Sequence, residues 1–234
     1  GGLCGWRRRI ARNARMGDFE VPNFMVKEEI ETLLYSADDI KERCKALGAQ
    51  IDAAYGKLDK PLIIICTLKG AAVFFADLVR ELHIDHVWEF MSFSSYGTGT
   101  TSSGAVQMVL DLKMDIGDRD VLVVEDILDT GNTLKYMIKQ LHAREPRSVK
   151  TVVLLHKTEM TIPGVSADFV GWQIPNKFVV GYGLDFAQKY RGLPFIGVLA
   201  PWVYKKTDKV ADGSILNGDV TLPQTGSGGN SPAP

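Results

Sequence analysis

Short apolar runs recur through the middle of the chain, at 62–68, 87–93, 106–112, 121–124 and 149–155, each of strand rather than helix length. Between them the period changes. After 62–68, Phe75, Leu78, Val79 and Leu82 fall on one helix face, and after 121–124 Leu134, Met137, Ile138 and Leu141 do the same. Strands alternating with helices predict an α/β fold, with right-handed βαβ units laid into a mostly parallel twisted sheet flanked by helices. Upstream, residues 27–55 read as helical, and Ser36 with Asp39 has the form of a capping box. In such sheets ligands collect outside the carboxyl ends of the strands. Candidate chemistry is therefore sought in the residues that follow each apolar run.

The run 121–124 empties into two acids, Glu125 and Asp126, then a third, Asp129, then Thr130, Gly131, Asn132 and Thr133 where the helix face begins. A loop that opens a helix aims unpaired N–H groups and the positive end of the helix dipole at an anion, so a phosphate suits residues 130–133. Carboxylates would repel a phosphate at that spot. Just upstream, Glu125 and Asp126 can accept hydrogen bonds from sugar hydroxyls or hold a hard cation such as Mg²⁺ through oxygen. Other runs also end in polar residues, Lys69-Gly70 after 62–68 and His156-Lys157 after 149–155. Residues 94–104 consist of three glycines and otherwise only Ser, Thr and Tyr96, a segment unable to bury itself. A long loop of this kind reads as a lid that keeps water from a reacting centre.

The string EDILDTGNT at 125–133 resembles the phosphoribosyl diphosphate (PRPP) signature of type I phosphoribosyltransferases. The resemblance implies Glu125 and Asp126 on the ribose hydroxyls and Mg²⁺, with Asp129 to Thr133 around the 5′-phosphate. The LKG at 68–70 and the block DFVGWQIPNKFVVGYGLD at 168–185 are similar to the hypoxanthine-guanine branch of that family. They imply that Lys69 and Gly70 bind pyrophosphate next to a non-proline cis peptide, and that Lys157 donates to the purine 6-oxygen. By the same resemblance Phe178 stacks on the base, the Val179 backbone and Asp185 handle its position-2 edge, and Asp185 joins the metal ligands. Arg191 resembles a pyrophosphate-binding arginine, although Gly192 stands where an acid is expected beside it. Ser95 and Tyr96 match the mobile lid of the family. Asp129 would exchange a proton with purine N7 during transfer through an oxocarbenium-like state. The implied architecture adds a small hood subdomain over the strand carboxyl ends, and the implied assembly is a homodimer or homotetramer.

Two other classes compete. A phospho-receiver domain also opens on a strand ending in acids, but here the motif sits mid-chain, after another βα unit, and the 129–133 loop has no use in a receiver. An RNA-binding regulator on the same fold needs a basic face, whereas the net charge is −1 and the first 17 residues alone hold five arginines and no acid, leaving the rest acidic. No nucleic-acid or membrane partner is expected, since no apolar run approaches about 18 residues. His83, His86, His142 and His156 show no metal spacing, and His156 is not read as a general base. Three scattered cysteines argue against a disulfide framework and for a reducing, cytoplasmic setting. Residues 1–19 read as a disordered or artificial basic extension, 20–204 as the catalytic domain with its hood drawn from the N-terminal part and about 160–204, and 205–234 as a flexible polar tail.

Overall fold

The computed structural model describes residues 27–95 and 106–205. After a 3-10 turn at Lys27–Glu29 come β1 (Ile30–Tyr35), α1 (Ala37–Tyr55), β2 (Leu62–Leu68), α2 (Ala72–Leu78), β3 (His86–Ser95) and β4 (Val106–Leu110). There follow β5 (Asp120–Leu128), α3 (Asn132–His142), β6 (Ser148–His156), β7 (Phe169–Gln173), β8 (Val179–Val180), β9 (Ile196–Leu199) and α4 (Pro201–Lys205).

Six strands form the large sheet in the order β4-β3-β2-β5-β6-β7, parallel except for the edge pair β3–β4. Its strands alternate faces. Leu62, Ile64 and Cys66 share a core with Leu122, Val124 and the α1 and α2 residues Ile40, Leu47, Ile51, Phe74 and Leu78. Ile63, Ile65, Val121 and Val123 meet Leu134, Met137 and Leu141 of α3. Covering both faces is why β2 reads as an unbroken apolar run instead of an alternating one. The capping box opens α1, with the Asp39 N–H on Ser36 Oγ at 3.2 Å and the Ser36 N–H on Asp39 Oδ2 at 3.0 Å.

The reading of 27–55 as helical is corrected at its start. Residues 30–35 are extended, and β1 pairs antiparallel with β9, Ile30 opposite Leu199 and Tyr35 opposite Ile196. This strand belongs to a second sheet, β1-β9-β8, which forms the hood. Val179, Ile196 and Val198 turn one face toward the α1/α2 core, while Ile30, Val180, Phe195 and Leu199 build a cluster of their own on the other. Phe169–Gln173 runs parallel to β6, so that stretch is an edge of the large sheet and the small sheet draws on residues from 179 onward.

Candidate active site

Because β2, β5 and β6 are parallel, the residues that follow them emerge on one side of the sheet. Beyond β2 the Leu68–Lys69 peptide is cis, Lys69 is exposed, and Gly70 lies so near β5 that a Cβ on it would sit 1.8 Å from Asp126 Oδ2. From the other side the hood touches the same glycine: Gly183, at φ +100°, would carry a Cβ 2.1 Å from the Gly70 carbonyl oxygen. Only glycines allow backbones this close.

Arg191 fixes the contact between hood and strand ends. Its Nη1 donates to the Gly183 carbonyl at 2.8 Å, and its Nη2 meets Asp185 Oδ1 at 2.8 Å and Gln188 Oε1 at 3.3 Å. The carboxylate absent at Gly192 is thus supplied by Asp185, six positions upstream of Arg191. The chain reverses between them through Ala187, Gln188 and Tyr190, at φ +50°, +65° and +76°, a left-handed path costly for such residues. A cavity of about 480 Å³ opens on another side of Arg191, between α1, α2 and residues 192–194, and touches none of Asp129, Lys157 or Phe178.

Glu125 and Asp126 lie side by side at the end of β5. Burial pushes both carboxyls above their ordinary range; for Glu125 the neighbouring Asp126 charge adds to this. Ile127 N–H donates to Asp126 Oδ1 at 2.9 Å, whereas Glu125 Oε2 is buried with no hydrogen-bond partner. A buried oxygen without a donor costs free energy that a cation or hydroxyl relieves. Among the described residues no group of three His, Cys, Asp or Glu side chains is arranged to hold a metal. Mg²⁺ does not require one, since it keeps water and substrate oxygens around one or two carboxylates, so this pair fits it. Asp185, read as a further ligand, is engaged by Arg191 and by the Gln188 N–H at 2.9 Å.

The loop after β5 has the expected form. Gly131 takes φ +86° immediately before α3, and a Cβ there would meet Val165 Cγ1 at 2.9 Å. The N-cap of α3, Gly131, offers no side-chain cap and the first turn holds no acid, so the dipole there is not offset by a carboxylate; Asn132 N–H makes only a long hydrogen bond, 3.5 Å, to Thr130 Oγ1.

Loops from β5 and β6 are knitted together next to it. Lys157 N–H donates to the Leu128 carbonyl at 2.9 Å and Ile162 N–H to the Thr130 carbonyl at 3.0 Å. Lys157 Nζ donates to Asp129 Oδ2 at 2.7 Å. Thr161 had no part in the sequence reading. Its hydroxyl donates to the Asp129 carbonyl at 2.8 Å and lies 3.1 Å from both the Lys157 carbonyl and His156 Nε2. No sequence signal marked it, because a threonine four residues beyond a lysine is ordinary. Phe178 is partly exposed in front of β8, an edge strand of the small sheet. Ser95 pairs with Val106 at the end of β3, and Tyr96 lies outside the described residues.

Residues 34–187 match the phosphoribosyl transferase domain family. The hypoxanthine-guanine phosphoribosyltransferase of Bacillus subtilis (strain 168) is 44% identical over 181 residues, 77% of this chain and 99% of that protein. Its counterpart in Dictyostelium discoideum is 45% identical over 177 residues, 74% of this chain and 98% of that protein. Among solved structures, a hypoxanthine phosphoribosyltransferase from Staphylococcus aureus aligns with a TM-score of 0.71 at 43% identity, covering 76% of this chain and 95% of that one. The Trypanosoma cruzi enzyme in complex with the product IMP aligns with the same TM-score at 44% identity, covering 76% and 98%. The chain belongs to the phosphoribosyltransferase family, within its hypoxanthine-guanine branch.

Proposed function

We propose that the chain serves purine salvage by transferring the phosphoribosyl group of PRPP to N9 of hypoxanthine or guanine, giving IMP or GMP and pyrophosphate; the turnover assay below decides whether xanthine is also an acceptor. The observation that carries the reading is the Lys157–Asp129 pair beside the uncapped start of α3, at the ends of adjacent parallel strands. One group faces the base there and the other feature suits the phosphate.

The 5′-phosphate takes the N–H groups of residues 130–133, and the pyrophosphate lies between Lys69-Gly70 and Arg191, whose fork of donors suits phosphate oxygens. Glu125 and Asp126 would hold Mg²⁺, which supplies charge neutralisation to the departing pyrophosphate. As the C1–O bond breaks, its electron pair leaves with pyrophosphate, the N9 lone pair forms the new C1–N bond from the opposite face, and the N7 proton passes to Asp129. Lys157 donates to O6, Phe178 stacks on the ring, and the Val179 backbone with Asp185 receives the position-2 edge. Ser95 and Tyr96 belong to the loop that closes over the reaction.

The same reading makes the enzyme a homodimer or homotetramer in a cytoplasmic, reducing setting, to which two free buried cysteines, Cys44 and Cys66, are suited. No described helix is long and apolar enough to cross a membrane.

Steady-state turnover with PRPP, Mg²⁺ and each of hypoxanthine, guanine, xanthine, adenine and uracil tests the proposal. Hypoxanthine or guanine is expected to react. Adenine should fail, because its 6-amino group leaves the Lys157 donor unpaired. Turnover with adenine or uracil in place of the 6-oxopurines would overturn the reading.

A further inference from the structure

Phe178, the ring read as the base platform, has a second aromatic ring against it. Tyr204, in α4, lies nearly parallel to it, with centroids 5.2 Å apart and planes at 22°, while Phe186 meets it almost perpendicularly at 5.4 Å. Tyr204 and Phe186 both pack on the hood cluster of Ile30, Val180, Tyr190, Leu193, Phe195 and Leu199, which lies on the sheet face turned away from the α1/α2 core. Lys157 and Asp129 come instead from the ends of the large sheet. Phe178 still keeps 37% of its surface exposed beside these two rings.

The helix that carries Tyr204 is anchored at its root. Ala200 N–H donates to the Glu29 carbonyl at 2.8 Å, Val203 N–H to the Ala200 carbonyl at 2.9 Å, and Leu199 N–H to the carbonyl of Phe178 itself at 2.8 Å. Pro201 opens the helix with its φ already set. A phenyl ring on a partly exposed edge has a broad torsion about its Cβ–Cγ bond. An offset-stacked neighbour on a fixed helix narrows that torsion.

We infer that Tyr204 is a positioning residue for the base: it backs the Phe178 ring and holds it at the tilt a purine stacks on. The inference rests on the reading that Phe178 carries the base. It gives α4 a part in base recognition but none in PRPP binding.

Steady-state kinetics of the full chain with Tyr204→Ala, Tyr204→Phe, Phe178→Ala and the double Ala variant, with native mass by light scattering, tests it. Tyr204→Ala is expected to raise KM for hypoxanthine and guanine roughly three- to ten-fold, the size of one lost ring pair. KM for PRPP and native mass should stay unchanged, Tyr204→Phe should restore the base KM, and the double variant should match Phe178→Ala alone. If Tyr204→Ala does not fold, Tyr204→Leu, which fills space without a stacking face, carries the same expectation. Unaltered base KM in Tyr204→Ala beside a raised one in Phe178→Ala would overturn the inference and leave the proposed function standing. Parallel loss of PRPP affinity or of native mass would also overturn it, as a merely structural role. Unaltered base KM in Phe178→Ala would remove the base from that ring altogether.

Discussion

Lys157 Nζ and Asp129 Oδ2 are paired at 2.7 Å across the ends of β6 and β5, so the two groups assigned to adjacent edges of the purine already touch each other. A 6-oxopurine places O6 and N7 side by side, an acceptor beside a proton. The pair presents the complementary order, a donor beside an acceptor. Asp129→Asn keeps the shape and removes the proton acceptor. It is expected to lower kcat by about 10²–10⁴-fold, the usual contribution of general acid–base help, with KM for PRPP nearly unchanged. Unaltered turnover would take Asp129 out of that role.

The two partners differ in exposure, which makes their loss unequal. The Lys157 side chain is 9% exposed and that of Asp129 is 43%. Asp129→Ala strands a buried ammonium and is expected to cost about 1–3 kcal/mol in urea unfolding. Lys157→Met leaves a carboxylate that water reaches, and should cost less than about 1 kcal/mol. Equal losses would show that the pair is not buried on the lysine side.

Thr161 and β1 mark where sequence reading stopped. The strand-end motifs were legible because each is local: an apolar run, a polar residue, a glycine and a helix face follow one another without a break. Residues 30–35 become a strand only by pairing with β9 near the other end of the described chain, and nothing local outweighs the helical pattern that continues into α1. The acid beside Arg191 was sought at the neighbouring Gly192 and lies at Asp185, brought back by a left-handed turn whose residues are not the glycines that usually announce one. Tyr204 had no signal either, since its partner Phe178 belongs to another element.

The acids at the end of β5 predict a pH effect of definite sign. Both Glu125 and Asp126 are held above their ordinary range in the fold, so between the unfolded and folded values the native state binds more protons than the unfolded chain. Their contribution is absent at acid pH, becomes destabilising as pH rises above the ordinary carboxylate range, and is fully developed once pH has passed the raised values. In metal-free buffer Glu125→Gln is therefore expected to raise the urea midpoint above that of the unmodified chain at pH 8, with no difference near pH 4, while weakening Mg²⁺-dependent PRPP binding. A midpoint lowered equally at both pH values would contradict this.

Gly131 tests the phosphate loop by backbone geometry alone. At φ +86°, and with Val165 Cγ1 2.9 Å from where a Cβ would stand, Gly131→Ala is expected to cost about 1–2 kcal/mol and to move the N–H groups ahead of α3. KM for PRPP should rise about tenfold while KM for the base changes little. The reverse pattern would place the phosphate elsewhere.

The most direct test of the account is a calorimetric titration of PRPP into the full chain with Mg²⁺ present. The account expects saturable heat with one PRPP bound per chain, much weakened by Gly131→Ala. No heat in the unmodified chain, or heat indifferent to the loop variant, would contradict a sugar-phosphate site at the end of β5.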